Sequence, residues 1–313
     1  MAEASIVVTV KDEEIAIIQL LRSIQNQSLK PHEVIIVDGG SKDKTVEEIK
    51  ALVGSDPSFR IVLAEGANRS RGRNIGITAA ATEIIACTDA GVVLDRFWLE
   101  NIVKPLTNGE ADFVSGVYVQ SGESPLQKCI GALQYPNLAK LDASFLASSR
   151  SVAFRKTVWQ SVGGYPEDLE KAEDTFFDMA VRQRGFRIFL AKDAVVYFPA
   201  RNSLRALFSQ YSSYAEWDVR ACLVSKLSIY RFMLLAYILL AFLLFLTFLF
   251  HFWGFLFSIL TILAYLVNSG VKAYRKTGVF SSFFFGIAVK VTIFVAETWG
   301  LAKGFVRRFS RRK

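Results

Sequence analysis

"VIIVDGGSKDKT", residues 34–45, opens as a strand and loses every apolar residue at Asp38. Four consecutive Val and Ile residues suit a strand covered on both faces, and a carboxylate that ends such a run stands at the edge of a sheet. Gly39 and Gly40 permit close backbone approach and unusual φ. Ser41 or Asp43 can accept the free N–H groups of a following helix. The stretch therefore predicts a strand, a tight loop and a helix start. Asp38 is placed where a ligand would lie, with a plain turn and cap as the alternative.

The same alternation runs outward on both sides. "SIVVTV", "FRIVLA" and "EIIACTD" read as further strands, and "EEIAIIQLLRSIQNQ", "DKTVEEIKALV" and "RGRNIGITAAA" as the helices between them. Interleaved buried strands and helical patterns predict an α/β fold over residues 1–200, Rossmann-like, with a mostly parallel sheet and helices on both faces. Open sheets of this kind bind ligands at the carboxyl ends of their strands. Asp89 ends a strand there just as Asp38 does. No G-x-G-x-x-G is present, which removes the main support for a dinucleotide-dependent hydride transfer.

Beyond residue 200 the composition changes. The chain has 313 residues, 52% apolar, and a positive mean hydropathy of +0.31. Most of the excess lies after residue 227, where only Arg231 interrupts an apolar run of about two spans' length. This predicts an α-helical membrane region, with a hairpin over 227–268 turning near His251 to Gly254. Residues 201–226 form an amphipathic stripe through Leu207, Tyr211, Ala215 and Val219, read as an interfacial helix, with a helix packing on the preceding domain as the alternative.

Residues 269–313 hold a basic loop, a third apolar helix at 279–305 (interfacial or transmembrane) and a basic tail. From residue 269 onward ten Lys and Arg face the single acid Glu297, so this end carries +9 of the net +8 and the rest carries 8 − 9 = −1. Basic residues beside apolar helices face anionic lipid on the cytoplasmic side, and nucleic acid is excluded as the partner. "MAEASIVVTV" has no basic region before an apolar core, so no signal peptide is expected. Cys87, Cys129 and Cys222 lack metal-ligand spacing. The expected location is the cell membrane, multi-pass, with residues 1–200 on the cytoplasmic face.

The ordered set "IVVTVKDEE", "VDGGSKDKT", "RSRGRNIGI", "TDAG" and "EDTFFDMAVRQRGFRI" resembles glycosyltransferase family 2, which has the GT-A fold and uses nucleotide-diphosphate sugars. The resemblance covers residues 5 to about 200. It implies that Thr9, Lys11 and Glu13 pack on the nucleobase, that Asp38 contacts it, and that Arg73, Asn74 and Arg71 hold the nucleotide. "TDAG" stands where the family has Asp-x-Asp. Asp89 is thus the implied metal ligand for Mg²⁺ or Mn²⁺, and Gly91 replaces the second acid. A hard cation can still use one carboxylate with phosphate oxygens and water; Asp95 is a further candidate oxygen ligand.

With only His32 and His251 in the chain, histidine catalysis has little support. Glu173 and Asp174 begin a helical pattern, where acids favour the dipole on their own account. They also match the family's acceptor-side motif, which makes Asp174 the implied base and Glu173 the residue orienting it. Base-assisted attack at the anomeric carbon predicts inversion. The expected reaction moves one sugar from a UDP-sugar, or else GDP-mannose, to a membrane-associated acceptor, a polyprenyl phosphate or lipid-linked sugar. The competing readings are a processive polysaccharide synthase, which would carry Q-x-x-R-W, a catalytically idle sugar-nucleotide-binding membrane protein, and a metal-independent retaining enzyme.

Overall fold

The computed structural model describes residues 3–134, 138, 141–142, 144–221 and 228–310. Cys222, the end of the 201–226 segment and residues 311–313 of the basic tail lie outside the described residues. Two compact units result: Met1–Ser121 with Tyr135–Pro199, and Gly122–Gln134 with Ala200–Lys313. The boundary expected at 200 thus misses one segment, since residues 122–134 group with the C-terminal helices.

The first unit is built on an eight-stranded sheet: β1 (Ala4–Val10), β2 (Glu33–Asp38), β3 (Phe59–Leu63), β4 (Ile84–Asp89), β5 (Val93–Leu94), β6 (Phe113–Ser121), β7 (Val152–Arg155) and β8 (Ile188–Pro199). Its order is β3-β2-β1-β4-β7-β6-β8-β5. The first four strands in that order are mutually parallel. β7 then runs antiparallel to β4 and β6, while β8 is parallel to β6 and antiparallel to β5.

Side chains explain why these strands read as continuous apolar runs. On β1, Ile6, Val8 and Val10 enter one core while Val7 enters another, and on β2 Val34 and Ile36 alternate with Ile35 and Val37. The first core is closed by α1 (Ala16–Gln25), α2 (Thr45–Val53) and α4 (Trp98–Thr107), the second by α3 (Arg69–Ala79), α6 (Lys156–Val162) and α7 (Glu173–Gln183). With both faces covered, period-2 polarity has no solvent side to record.

The chain runs from β1 through β2 to β3 on one side and places β4 on the other, so the order reverses between β1 and β4. A crevice at the carboxyl ends of the strands is expected at such a switch point. Thr9 pairs with Asp89 there, and Val10 pairs with Asp38 on the opposite side.

The second unit contains α5 (Pro125–Gln134), α8 (Leu204–Arg220), α9 (Ser228–Thr277) and α10 (Ser281–Ser310). Ser203 caps α8 by accepting from the Ala206 N–H at 3.2 Å. α9 cannot be one straight rod. Ser258 Oγ lies 3.1 Å from the Leu243 carbonyl and 3.1 Å from Thr247 Oγ1, whereas fifteen residues of straight helix extend about 22 Å. The chain therefore doubles back between Thr247 and Ser258. Gly300 and Gly304 of α10 let it approach the Ser212 and Glu216 carbonyls of α8, and Lys303 of α10 pairs with Glu216 at 2.9 Å. Among the described residues three segments are long and apolar enough to cross a membrane: Met233–Phe250, Trp253–Thr277 and Ser281–Arg308.

Candidate active site

The loop after β2 answers to Asp38. This buried carboxylate accepts from the N–H of Gly40 at 3.0 Å, the N–H of Ser41 at 3.1 Å and the Ser41 hydroxyl. Gly40 has φ +89, and a Cβ on Gly39 would stand 2.7 Å from the Ala67 carbonyl, so both glycines are required. Ser41 and Asp43 are used internally as well. Ser41 Oγ accepts from the Asp12 N–H at 2.9 Å, the Lys42 N–H donates to Asp12 Oδ1 at 2.7 Å, and Asp43 accepts from the N–H groups of Thr45 and Glu14. Glu13 is tied in through its N–H to Thr45 Oγ1 at 2.8 Å. The β1 and β2 loops are thereby laced together, with Lys11 lying against Gly39.

Across β1, α3 lies unusually close to the sheet. A Cβ on Gly72 would meet Thr9 Cγ2 at 2.9 Å and one on Gly76 would meet Val7 Cγ1 at 2.5 Å. This close approach delivers Arg73, the residue between them, into the interior. Its side chain is 2% exposed; Nη2 donates to Asp89 Oδ1 at 2.7 Å and Nη1 to Glu173 Oε1 at 2.8 Å. The guanidinium also lies 5.3 Å from the Tyr165 ring centroid, and Tyr165 stacks on Phe177 of α7. Arg73 is therefore a buried brace between the end of β4 and the start of α7.

Asn74 is engaged within the unit as well. Its Oδ1 accepts from the Tyr165 N–H at 2.9 Å and Trp159 Nε1 at 3.0 Å, while its Nδ2 donates to the Tyr165 carbonyl and to Glu167 Oε1. Both ends of the amide are engaged in holding the 159–167 segment. Arg71 is exposed in the first turn of α3, where its N–H donates to the Asn68 cap.

At the start of α7 two adjacent acids take different partners. Ala172, just before it, has φ +64, a left-handed conformation that costs a non-glycine residue about 1–2 kcal/mol. After this turn Glu173 points inward to Arg73, while Asp174 Oδ2 accepts from Ser148 Oγ at 3.2 Å. Ser148 in turn receives Arg150 Nη1 at 3.2 Å, and Arg150 Nε lies 3.7 Å from Asp89 Oδ2. A ring of polar contacts results, from Asp89 through Arg73 to Glu173, and back from Asp174 through Ser148 and Arg150. Arg182 of α7 holds the Phe145 carbonyl at 2.8 Å and pairs with the buried Asp178, which fixes the 145–150 segment to the same helix.

The electrostatics follow from this packing. Burial opposes the ionisation of Asp89, but Arg73, Arg150 and Arg69 overcome it and hold the carboxyl down at about 2. Burial, aided by Asp174, pushes the Glu173 carboxyl up against the pull of Arg73. Of the expected residues, Asp89, Arg73, Glu173 and Asp174 come together. Asp38 stands two strands away from Asp89, about 10 Å by strand spacing. Asp95 is set apart: its Oδ1 accepts from the Phe97 N–H at 3.0 Å at the approach to α4. Ser148, Arg150 and Tyr165 were missed, since their polar loop carries no periodicity and no spaced motif.

The donor set suits a divalent cation that takes one or two carboxylates and completes its shell with phosphate and water. Asp89 is ionised, and the space around Gly91 is open, with nothing within 4 Å of an added Cβ. Among the described residues no three His, Cys, Asp or Glu side chains form a ready-made cage.

Comparison with known proteins bears on the family and the fold. Residues 5–133 match the family description "Glycosyl transferase family 2". The match to a family 2 glycosyltransferase domain thus spans β1 to α5, short of half the chain. It is 24% identical over 245 residues to glycosyltransferase AglE of Haloferax volcanii, covering 74% of this chain and 78% of that one. Among solved structures, the mannosyltransferase PcManGT from Pyrobaculum calidifontis, in complex with GDP-Man and Mn²⁺, superposes with a TM-score of 0.57 at 19% identity, over 93% of this chain and 86% of that one. S. aureus TarS in complex with UDP-GlcNAc gives 0.51 at 19% identity, over 68% of this chain and 65% of that fragment, just under two thirds of it. The fold is that of the GT-A enzymes, followed by a helical region, and the protein is a glycosyltransferase.

Proposed function

We propose that this glycosyltransferase is inverting and transfers a single sugar from a nucleotide-diphosphate sugar to a membrane-associated acceptor, a polyprenyl phosphate or a lipid-linked sugar. The observation that carries the reading is the bridge from Asp89 through Arg73 to Glu173. It fixes the strand end where a nucleotide-binding crevice belongs against the helix start that bears Asp174. The acceptor oxygen forms a bond to the anomeric carbon as the bond to the diphosphate breaks, and the nucleoside diphosphate leaves. Asp174 takes the proton of a hydroxyl acceptor. A phosphate acceptor is already anionic near neutral pH, and Asp174 then orients it.

A UDP-sugar is the favoured donor and GDP-mannose the second choice; support comes from fold neighbours holding UDP-GlcNAc and GDP-Man. In this reading Asp38, Thr9, Lys11 and Glu13 would contact the nucleoside and Arg71 the diphosphate. Asp89 would hold Mg²⁺ or Mn²⁺, whose charge offsets that of the diphosphate when bound.

Three apolar helical segments and the basic residues flanking the last of them support a multi-pass anchor with the catalytic unit on the cytoplasmic face. Holding the catalytic unit at the membrane raises the effective concentration of a lipid acceptor.

The test is incubation of the full chain, in detergent, with labelled UDP-sugars and GDP-mannose and a membrane lipid extract. One transferred sugar of inverted anomeric configuration in the lipid fraction is expected. A polymer, a retained configuration, or nucleotide binding without product would overturn the reading.

A further inference from the structure

The diphosphate leaving group develops negative charge, and Gly91 deprives this chain of the second acid that would help place a cation beside it. We infer that Arg150 takes up part of that work: its guanidinium binds the donor's diphosphate and stabilises it as it leaves. The inference rests on the proposed nucleotide-sugar reaction and adds a residue to it.

Four observations place Arg150 there. Its Nε lies 3.7 Å from Asp89 Oδ2, on the carboxylate that ends β4 at the switch point. Its Nη1 donates to Ser148 Oγ, which also reaches Asp174, so the guanidinium stands between the donor-side acid and the acceptor-side acid. It is held at both ends: its carbonyl accepts from Thr88 Oγ1 at 2.9 Å, and its guanidinium lies 5.1 Å from the Phe198 ring centroid. Its side chain is 25% exposed where that of Arg73 is 2% exposed, so Arg150 is the more accessible of the two to a ligand.

The chemistry fits the placement. A guanidinium is planar and always charged, and its fork matches phosphate oxygens in pairs. A cation fixed beforehand beside the breaking bond stabilises charge that appears only as the bond lengthens, and that raises turnover as well as affinity. Asp89 then has two uses. It can hold a metal on the diphosphate, and it orients the arginine that faces the same group.

The experiment compares the full chain with Arg150→Ala and Arg150→Lys. Affinities for UDP, GDP and the matching nucleosides are measured by calorimetry in detergent, with thermal midpoints taken without nucleotide. For the preferred diphosphate, Arg150→Ala should lose roughly 10- to 100-fold in affinity, the range for a charge-assisted pair, with the nucleoside affinity unchanged. Turnover should fall further, and Arg150→Lys should recover part of both. Equal losses for diphosphate and nucleoside, or unchanged diphosphate affinity and turnover, would overturn the role of Arg150 while leaving the reaction in place. If the unaltered chain binds no nucleoside diphosphate, the donor reading itself falls and the role of Arg150 with it. Should Arg150→Ala fail to fold, Arg150→Lys decides: full diphosphate affinity and turnover in a folded Lys variant would overturn the bidentate contact.

Discussion

Arg73 and Asp89 meet at 2.7 Å where β4 ends, with the arginine buried and the carboxylate partly open to solvent. The other arm of the same guanidinium holds Glu173. One cation thus sets the spacing between the strand edge and the helix that carries Asp174, and two acids depend on it for their charge balance.

Arg73→Ala should therefore cost the first unit about 3–5 kcal/mol of stability, the usual penalty for leaving buried charge without its partner. Arg73→Lys should cost less but still lose activity, because an ammonium cannot span both carboxylates as a fork does. Chemical denaturation followed by tryptophan fluorescence measures the first effect. Wild-type stability in Arg73→Ala would remove the brace.

Asp174→Asn and Glu173→Gln should separate, although the residues are neighbours. Asp174 reaches Ser148 on the open side of the ring, so its amide should abolish transfer with nucleotide affinity intact. Glu173→Gln releases one arm of Arg73 and disturbs Asp89, so affinity and turnover should fall together. Initial rates and nucleotide binding on the same preparations check the pair. Normal turnover in Asp174→Asn would exclude it as the base.

Much of this site was legible in the sequence because its acids fall at element boundaries. Asp38 and Asp89 end apolar strands, which the pattern marks, whereas Glu173 and Asp174 were set apart from ordinary helix-start acids by the resemblance to the family's acceptor-side motif. Burial and partners were not legible. Glycines at 72 and 76 draw α3 close to β1, and Arg73 and Asn74 take partners within the protein that no local pattern announces. Arg150 and Ser148 reach the site only because Arg182 ties their loop to α7 over 37 residues of sequence. The mixed half of the sheet, where β7 runs against β4 and β6, depends on long-range pairing and left no period to read.

The two perturbed acids should give stability opposite slopes with pH. Asp89 falls from an ordinary 3.8 to about 2, so between those values the unfolded chain binds more protons. Its contribution, about 2 kcal/mol by linkage, is present above pH 4 and lost as pH falls through about 2. Glu173 is raised above 4.5, so the folded chain binds more protons there and stability declines as pH climbs past that value. Thermal midpoints from pH 2.5 to 7 should show the acid limb flattened in Asp89→Asn and the upper limb flattened in Glu173→Gln. An unchanged acid limb in Asp89→Asn would mean that its guanidinium partners do not set its charge.

Gly91→Asp should restore the missing acid at little cost to the fold. Nothing lies within 4 Å of the added Cβ, and Gly91 is outside the left-handed region that resists side chains. A surface change of this kind stays within about 0.5 kcal/mol. EDTA should lower transfer by the unaltered chain, and Mn²⁺ should restore it. In Gly91→Asp the half-restoring Mn²⁺ concentration should drop, because a second carboxylate adds a hard oxygen ligand beside Asp89. Titration of Mn²⁺ into both chelated proteins, read by initial rate and by Mn²⁺ electron paramagnetic resonance, measures this. A half-restoring concentration that does not move in the folded variant would place the cation away from the end of β4, and Asp89 would then serve only to orient its arginines.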